Sequence, residues 1–186
     1  IIKALAGGGG RGARVVESLG EVDAAYARCR SEANLAFGVD DVYVEGFVRR
    51  ARHIEVQILG DQNGDVTHLG ERECSVQRRF QKMVEIAPAP ALSEDLRRQI
   101  IDAAMRLSKS VRYTNLGTFE FLVDTSTKPV EPFVFIEANA RLQVEHTVTE
   151  SILGLDIVKA QLQIAFGKTL KQIKYNQENI PSPRGF

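Results

Sequence analysis

Phe135-Ile136-Glu137-Ala138-Asn139-Ala140-Arg141-Leu142-Gln143-Val144-Glu145-His146 decides how the rest of the chain is read. The apolar run leading into it, Pro132 to Ile136, predicts a strand. From its end, Glu137, Asn139, Arg141, Gln143 and Glu145 place a polar group at every second position. In an extended chain that period puts all five on one face. Two carboxylates, two amides and a guanidinium do not belong in a core unless they are paired or hold a metal, because buried charge is costly. A solvated strand face is the ordinary alternative for alternating polar residues. Here the row continues a strongly apolar strand, so we read it as a functional site.

The remaining composition is that of a soluble globular protein. The chain has 186 residues, 44% hydrophobic and 26% charged, with a formal net charge of zero. That length supports one substantial core or two small ones. Zero net charge argues against a nucleic acid or a membrane surface as the main partner, and no apolar run is long enough to span a bilayer. Cys29 and Cys74 are far apart and lack metal-ligand spacing, so they read as buried free thiols in a reducing compartment. The chain starts without Met and its first strand has no preceding turn, which suggests a piece of something longer.

Outward from the central row, Gly117 to Val123 predicts a strand that carries Glu120 in an apolar setting. Thr125 to Pro129 turns the chain, and Phe133 to Glu137 returns beside it as a hairpin. That places Glu120 near Glu137. Two close carboxylates repel, so the pairing calls for a cation between them, and a hard divalent ion such as Mg²⁺ with oxygen ligands fits. At the other end, Ile1 to Leu5 reads as a strand with Lys3. It is followed by Gly7-Gly8-Gly9-Gly10-Arg11-Gly12-Ala13-Arg14. Glycines let backbone N–H groups approach a ligand closely, and with three cations at hand the loop suits phosphate and a mobile lid. It is neither a Walker loop nor a dinucleotide fingerprint, since no Lys-Ser/Thr follows and the spacing differs; a surface hairpin is the plain alternative.

Further elements follow from local signals. Val22 to Phe37 predicts a helix stopped by Gly38, and Val42 to Val48 a strand running into a connector. Arg49-Arg50-Ala51-Arg52 reads as a solvated turn. His53 to Leu59 alternates like a half-exposed antiparallel strand; Asp61 to Asp65 is its turn and Val66 to Leu69 its partner. Glu71 to Lys82 is unusually polar, and Met83 to Ala87 is another strand. Ser93 caps an amphipathic helix reaching about Lys109. Leu155 to Phe166 is a second such helix, and Lys171 to Phe186 reads as a linker.

Taken together, several of these stretches resemble the biotin carboxylase family of ATP-grasp enzymes. They are Lys3 with the glycine loop, Val44-Glu45, Arg52 to Gln57, Gly70 to Arg79, Gln81-Lys82, Gly117 to Leu122 and Glu137 to Glu150. The resemblance runs unbroken from Ile1 to about Gly167. It implies an α+β, partial ATP-grasp fold, mostly antiparallel sheet packed by helices. Residues 1–47 would be part of a small glycine-loop lid subdomain and residues 48–186 part of the core. It further implies that ATP phosphorylates bicarbonate to carboxyphosphate, which carboxylates the ureido nitrogen of biotin on a partner domain. Lys3, Gly8 and Gly9 would hold phosphates. Glu45 would accept from the adenine amino group, with the Gly46, Phe47 and Val48 backbone on the purine edge and Leu122 against the base. His53 and Gln77 would contact ribose and phosphates. Glu120 and Glu137, assisted by Asn139, would bind Mg²⁺ or Mn²⁺. Lys82, Arg141, Gln143 and the Val144 backbone would bind bicarbonate; Glu145 would be its general base, and Arg141 would stabilise the anionic intermediates. At about 3.3 Å per residue, Glu137 and Glu145 stand roughly 26 Å apart in an extended chain, too far for one small site. The chain must therefore bend, near Asn139 to Leu142.

The family pattern also has departures here. Phe80 stands where a histidine is usual, and Ala140 is smaller than the usual residue. His146 takes a structural rather than catalytic role. An N-terminal subdomain, an earlier lysine and a later arginine of the family lie outside this sequence, so the chain is expected to be inactive alone. The implied partners are the remainder of its own domain, a biotinyl carrier domain and a carboxyltransferase component, in a homo-oligomer located in the cytoplasm, or in the mitochondrial matrix of a eukaryote. Two other readings stand beside this one: a biotin-independent, carbamoyl phosphate synthetase-like ligase, and a non-catalytic nucleotide-binding module.

Overall fold

The computed structural model describes residues 1–7, 10–79, 81–126 and 131–185. Gly8, Gly9 and Phe80, and most of the turn expected at Thr125 to Pro129, lie outside the described residues. The chain divides into two compact units, one of residues 1–49 with 78–81 and the other of residues 50–77 with 82–186.

The first unit is a three-stranded antiparallel sheet in which β1 (Ile2–Ala4) lies between β2 (Ala13–Arg14) and β3 (Val42–Val44), with helix α1 (Val22–Phe37). Ile2, Ala4, Cys29 and Ala33 form its buried core. Helix α1 ends as expected, because Gly38 adopts φ +74° and its N–H bonds Asn34 O. An L side chain is strained in that left-handed conformation.

The second unit is built on a five-stranded sheet of order β6-β5-β4-β7-β8: β4 (Ala51–Gly60), β5 (Val66–Arg78), β6 (Gln81–Ile86), β7 (Asn115–Asp124) and β8 (Phe133–Asn139). The pairs β4–β5, β4–β7 and β7–β8 are antiparallel. Helix α2 (Glu94–Ser110) is capped by Ser93, whose Oγ accepts from Leu96 N. Helices α3 (His146–Leu153) and α4 (Ile157–Ala165) complete the unit.

Alternation along β4 sorts its residues into two environments. Ile54, Val56 and Ile58 pack with Ile100 and Ala104 of α2 and with Phe119, Phe121 and Val123 of β7. Fully burying each such aliphatic or aromatic side chain contributes roughly 1.5–3 kcal/mol. Phe121 meets Phe133 and Phe135 edge-on at 5.8 and 5.7 Å. Leu59 belongs to a second cluster with Leu69, Leu116, Ile152, Ile157 and Ile164.

Four expectations need correction. The polar side of β4 is not half exposed, for Glu55 and Gln57 are 0% and 1% accessible. Arg52 is not in a solvated turn; it lies in β4 and pairs with Glu73. The polar segment after Leu69 continues β5 as one strand to Arg78, with Glu71, Arg72 and Glu73 buried. Lys171 to Phe186 is not a free linker over its described length. Tyr175 is buried with Leu170 in the second cluster, and Gln177 accepts from Thr67 Oγ1 at 2.9 Å and His68 N at 3.0 Å.

Candidate active site

Pairing register creates the site. Glu55 of β4 stands opposite Glu120 of β7, and Glu120 opposite Glu137 of β8. Three carboxylates in file across adjacent strands repel one another, so the surrounding groups must compensate. A register shift at Glu120/Phe121 lies at the centre of this row; such bulges re-aim a side chain locally.

Lys82 of β6 supplies the principal cation. Its ammonium donates to Glu55 Oε2 at 2.5 Å, to Glu120 Oε1 at 3.3 Å, and to Glu145 Oε1. Burial alone would lower its pKa, but Glu55, and then Glu120 and Glu145, outweigh burial and raise it. Glu120 shows the opposite balance. Burial pushes its carboxyl up, while the bond from His53 and the charge of Lys82 bring it below the usual range. His53 Nε2 lies 2.6 Å from Glu120 Oε2, and Gln77 Nε2 lies 2.7 Å from His53 Nδ1. Asn139 Nδ2 donates to both Glu120 Oε1 at 2.8 Å and Glu137 Oε1 at 3.1 Å. Glu120 and Glu137 therefore face the same point, as the hairpin reasoning expected.

The chain then bends where the distance argument requires. β8 ends at Asn139 and α3 begins at His146. The bend turns Glu145 back onto Lys82, and both Gln143 and Glu145 are buried, at 6% and 8% accessible. Arg141 is exposed; its Nη1 donates to Gln143 Oε1 at 3.0 Å and Leu142 O at 3.3 Å. Val144 is 89% exposed. His146 Nδ1 lies 2.9 Å from Gln143 O and so holds the bend. Leu122 stands opposite His53 in register and is half-buried.

In the first unit, Lys3 Nζ donates to Glu45 Oε2 at 3.0 Å and lies 5.5 Å from the Tyr43 ring centroid. Glu45 N donates to Ile1 O, which fixes the residue just after β3. Gly46 and Phe47 are exposed and Val48 is half-buried.

Sequence reasoning overlooked the layer beneath. Glu55 Oε1 accepts from Arg72 Nε at 2.5 Å, and Arg72 Nη1 donates to Gln57 Oε1 and to Thr149 Oγ1 of α3, both at 2.9 Å. Arg72 is fully buried. The available signal was the unusual polarity of Glu71 to Lys82 in a chain of ordinary composition. Cys74 sits in the same layer, and burial, followed by the charge of Glu55, pushes its thiol pKa up. It is a protonated, inert thiol. Cys29 is likewise free and buried.

The chain is similar to known proteins in sequence and in fold. The family described as carbamoyl-phosphate synthase L chain, ATP binding domain, matches residues 1–173. The chain belongs to this family. Within it, the chain is similar to pyruvate carboxylase 1 of Caenorhabditis elegans, 58% identical over 180 residues, and to the Bacillus subtilis pyruvate carboxylase, 54% identical over 176. These spans are 97% and 95% of this chain but 15% of each relative. The chain thus spans about a seventh of the length of these pyruvate carboxylases. Among solved structures, biotin carboxylase of Campylobacter jejuni in complex with a β,γ-ATP ligand superposes with a TM-score of 0.89 at 46% identity, over 97% of this chain and 39% of that one. The biotin carboxylase domain of Hydrogenobacter thermophilus 2-oxoglutarate carboxylase, complexed with MgADP, ADP and bicarbonate, gives 0.87 at 45%, over 97% and 38%. The fold is accordingly the biotin carboxylase-type ATP-grasp fold in part, α+β as expected. Among the described residues, no helix is long and apolar enough to cross a membrane.

Proposed function

We propose that this chain supplies part of the nucleotide site and the metal and bicarbonate sites for the ATP-dependent carboxylation of biotin. The observation that carries the reading is the meeting of Glu120, Glu137 and Asn139 beside Lys82 and Glu145, in a chain nearly half identical to biotin carboxylases over almost its whole length. Two carboxylates and an amide converging on one point form an oxygen-rich set that fits Mg²⁺ or Mn²⁺. When bound there, the ion neutralises phosphate charge.

The chain's own residues take the following parts. Lys3, Gly8 and Gly9 hold phosphates. Glu45 and the Gly46 to Val48 backbone read adenine, and Leu122 packs the base. His53 and Gln77, already bonded to one another, orient toward ribose and phosphate. Lys82, Arg141, Gln143 and the Val144 backbone hold bicarbonate. Glu145, buried and bonded to Lys82, takes the bicarbonate proton so that the oxygen attacks the γ-phosphorus as its bond to the β,γ-bridging oxygen breaks and ADP leaves, and Arg141 stabilises the carboxyphosphate anion formed. Phosphoryl transfer depends chiefly on such positioning and charge stabilisation. The remainder of the domain, a biotinyl carrier domain and a carboxyltransferase component complete the proposed enzyme, an oligomer of the cytoplasm or mitochondrial matrix; residues 1–47 and 48–186 correspond to its lid and core portions.

In a complete carboxylase carrying this segment, Glu145→Gln should abolish bicarbonate-dependent ATP cleavage while MgATP still binds. Full retention of cleavage would remove Glu145 from the reaction. The family description favours a second reading, a bicarbonate ligase of the carbamoyl phosphate synthase kind. Turnover that is independent of biotin would select it.

A further inference from the structure

We infer that His53, Glu55 and Glu120 form a second metal site, selective for a borderline cation of the Zn²⁺ class, that overlaps the proposed magnesium site only at Glu120. One ligand atom from each of these residues lies within 4.8 Å of the others. At metal–ligand distances of about 2.0–2.2 Å, tetrahedral ligands stand about 3.3 Å apart, so small side-chain adjustments close the set.

Two features aim these groups at a cation. Arg72 holds Glu55 Oε1, which leaves Oε2 directed into the cluster. Lys82 already places a positive charge between Glu55 Oε2 and Glu120 Oε1. The nest is thus a cation site whose present occupant is an ammonium group. A zinc-class ion displaces that ammonium from two carboxylates, and Lys82 keeps its bond to Glu145.

The imidazole sets the selectivity. Magnesium takes oxygen ligands, whereas zinc takes imidazole readily. Gln77 supplies the usual outer partner of a ligating histidine. Its Nε2 lies on His53 Nδ1 and also donates to Cys74 O at 2.7 Å; when His53 Nε2 ligates and the ring proton moves to Nδ1, the Gln77 amide rotates to accept it through Oε1 and gives up the bond to Cys74 O. On the reading proposed above, such an ion is inhibitory, because it takes Glu120 from the magnesium set and pushes Lys82 away from its place.

The test uses the 186-residue chain, with Zn²⁺ and Co²⁺ as probes and no nucleotide. Calorimetry should show one Zn²⁺ per chain, and Co²⁺ should give a d–d absorption spectrum that Zn²⁺ abolishes. His53→Gln should weaken Zn²⁺ at least tenfold, while Glu137→Gln and Cys74→Ser change it less than twofold. In ¹⁵N-histidine-labelled wild type, which has three histidines, Zn²⁺ should shift the His53 imidazole and leave His68 and His146 in place. That readout needs no variant to fold. The inference is overturned if wild type does not bind Zn²⁺, if His68 or His146 shifts instead, or if Cys74→Ser or Glu137→Gln costs as much as His53→Gln. None of these results bears on MgATP binding, so the proposed function fails or stands separately.

Discussion

Removing the guanidinium beneath the site should be among the costliest single changes in the second unit. Arg72→Met keeps much of the side-chain length and deletes the charge. It abolishes the bonds to Glu55, Gln57 and Thr149 together and leaves Glu55, which is 0% accessible, with Lys82 as its only cationic partner among the described residues. Breaking one partner of a buried ion pair costs about 3–5 kcal/mol. For a chain of this size about 1 kcal/mol moves Tm by roughly 2–4 °C, so a fall of roughly 6–20 °C follows. Urea unfolding followed by far-UV circular dichroism should show a lower midpoint at unchanged slope. Arg98→Met is the control. Its pair with Asp95 spans 2.8 Å but is about two-thirds exposed on both sides, and such pairs are worth at most about 0.5 kcal/mol. Adding Glu55→Gln to Arg72→Met should recover part of the loss, because the uncompensated carboxylate is then gone. A loss below about 1 kcal/mol for Arg72→Met, or one no larger than the control, would refute the claim that this pair is buried and structural.

Three other outcomes are expected. The Lys82 pKa is raised on folding, so its contribution is fully present below 10.5, the unshifted value, and is lost as pH rises through the folded value; Lys82→Met should flatten the alkaline limb of a stability–pH curve. The Glu120 pKa is lowered, so its contribution is present above 4.5, the unshifted value, and is lost as pH falls through the folded value; Glu120→Gln should flatten the acid limb, measured by the same urea midpoints. Phe121→Ala, which empties the space between Phe133, Phe135 and the α2 face, should cost about 3–5 kcal/mol in the same assay.

Local chemistry was legible in the sequence wherever a single residue controls a backbone event. Gly38 ends α1 and Ser93 starts α2 because a left-handed φ and a side-chain acceptor act within one turn. Helix α3 escaped notice, because the alternation of Glu137 to Glu145 drew the reading toward extended chain. Distance corrected this in part, since a 26 Å row forces a bend, but nothing in the alternation shows that a helix begins at His146. The greater difficulty was Glu55 and Gln57. Alternation along β4 separates apolar from polar residues without saying what covers each side. Cover comes from Arg72 on the neighbouring strand and from Thr149 on α3, some ninety residues later in the chain. A strand whose polar side is buried has the same local pattern as one whose polar side is wet. The two differ only once register fixes which charges meet, and here it sets Glu55, Glu120 and Glu137 in file. Three carboxylates cannot share that row without cations. The sheet therefore folds onto Arg72 and Lys82, and on the proposed function stability demands positive charge where catalysis would use it.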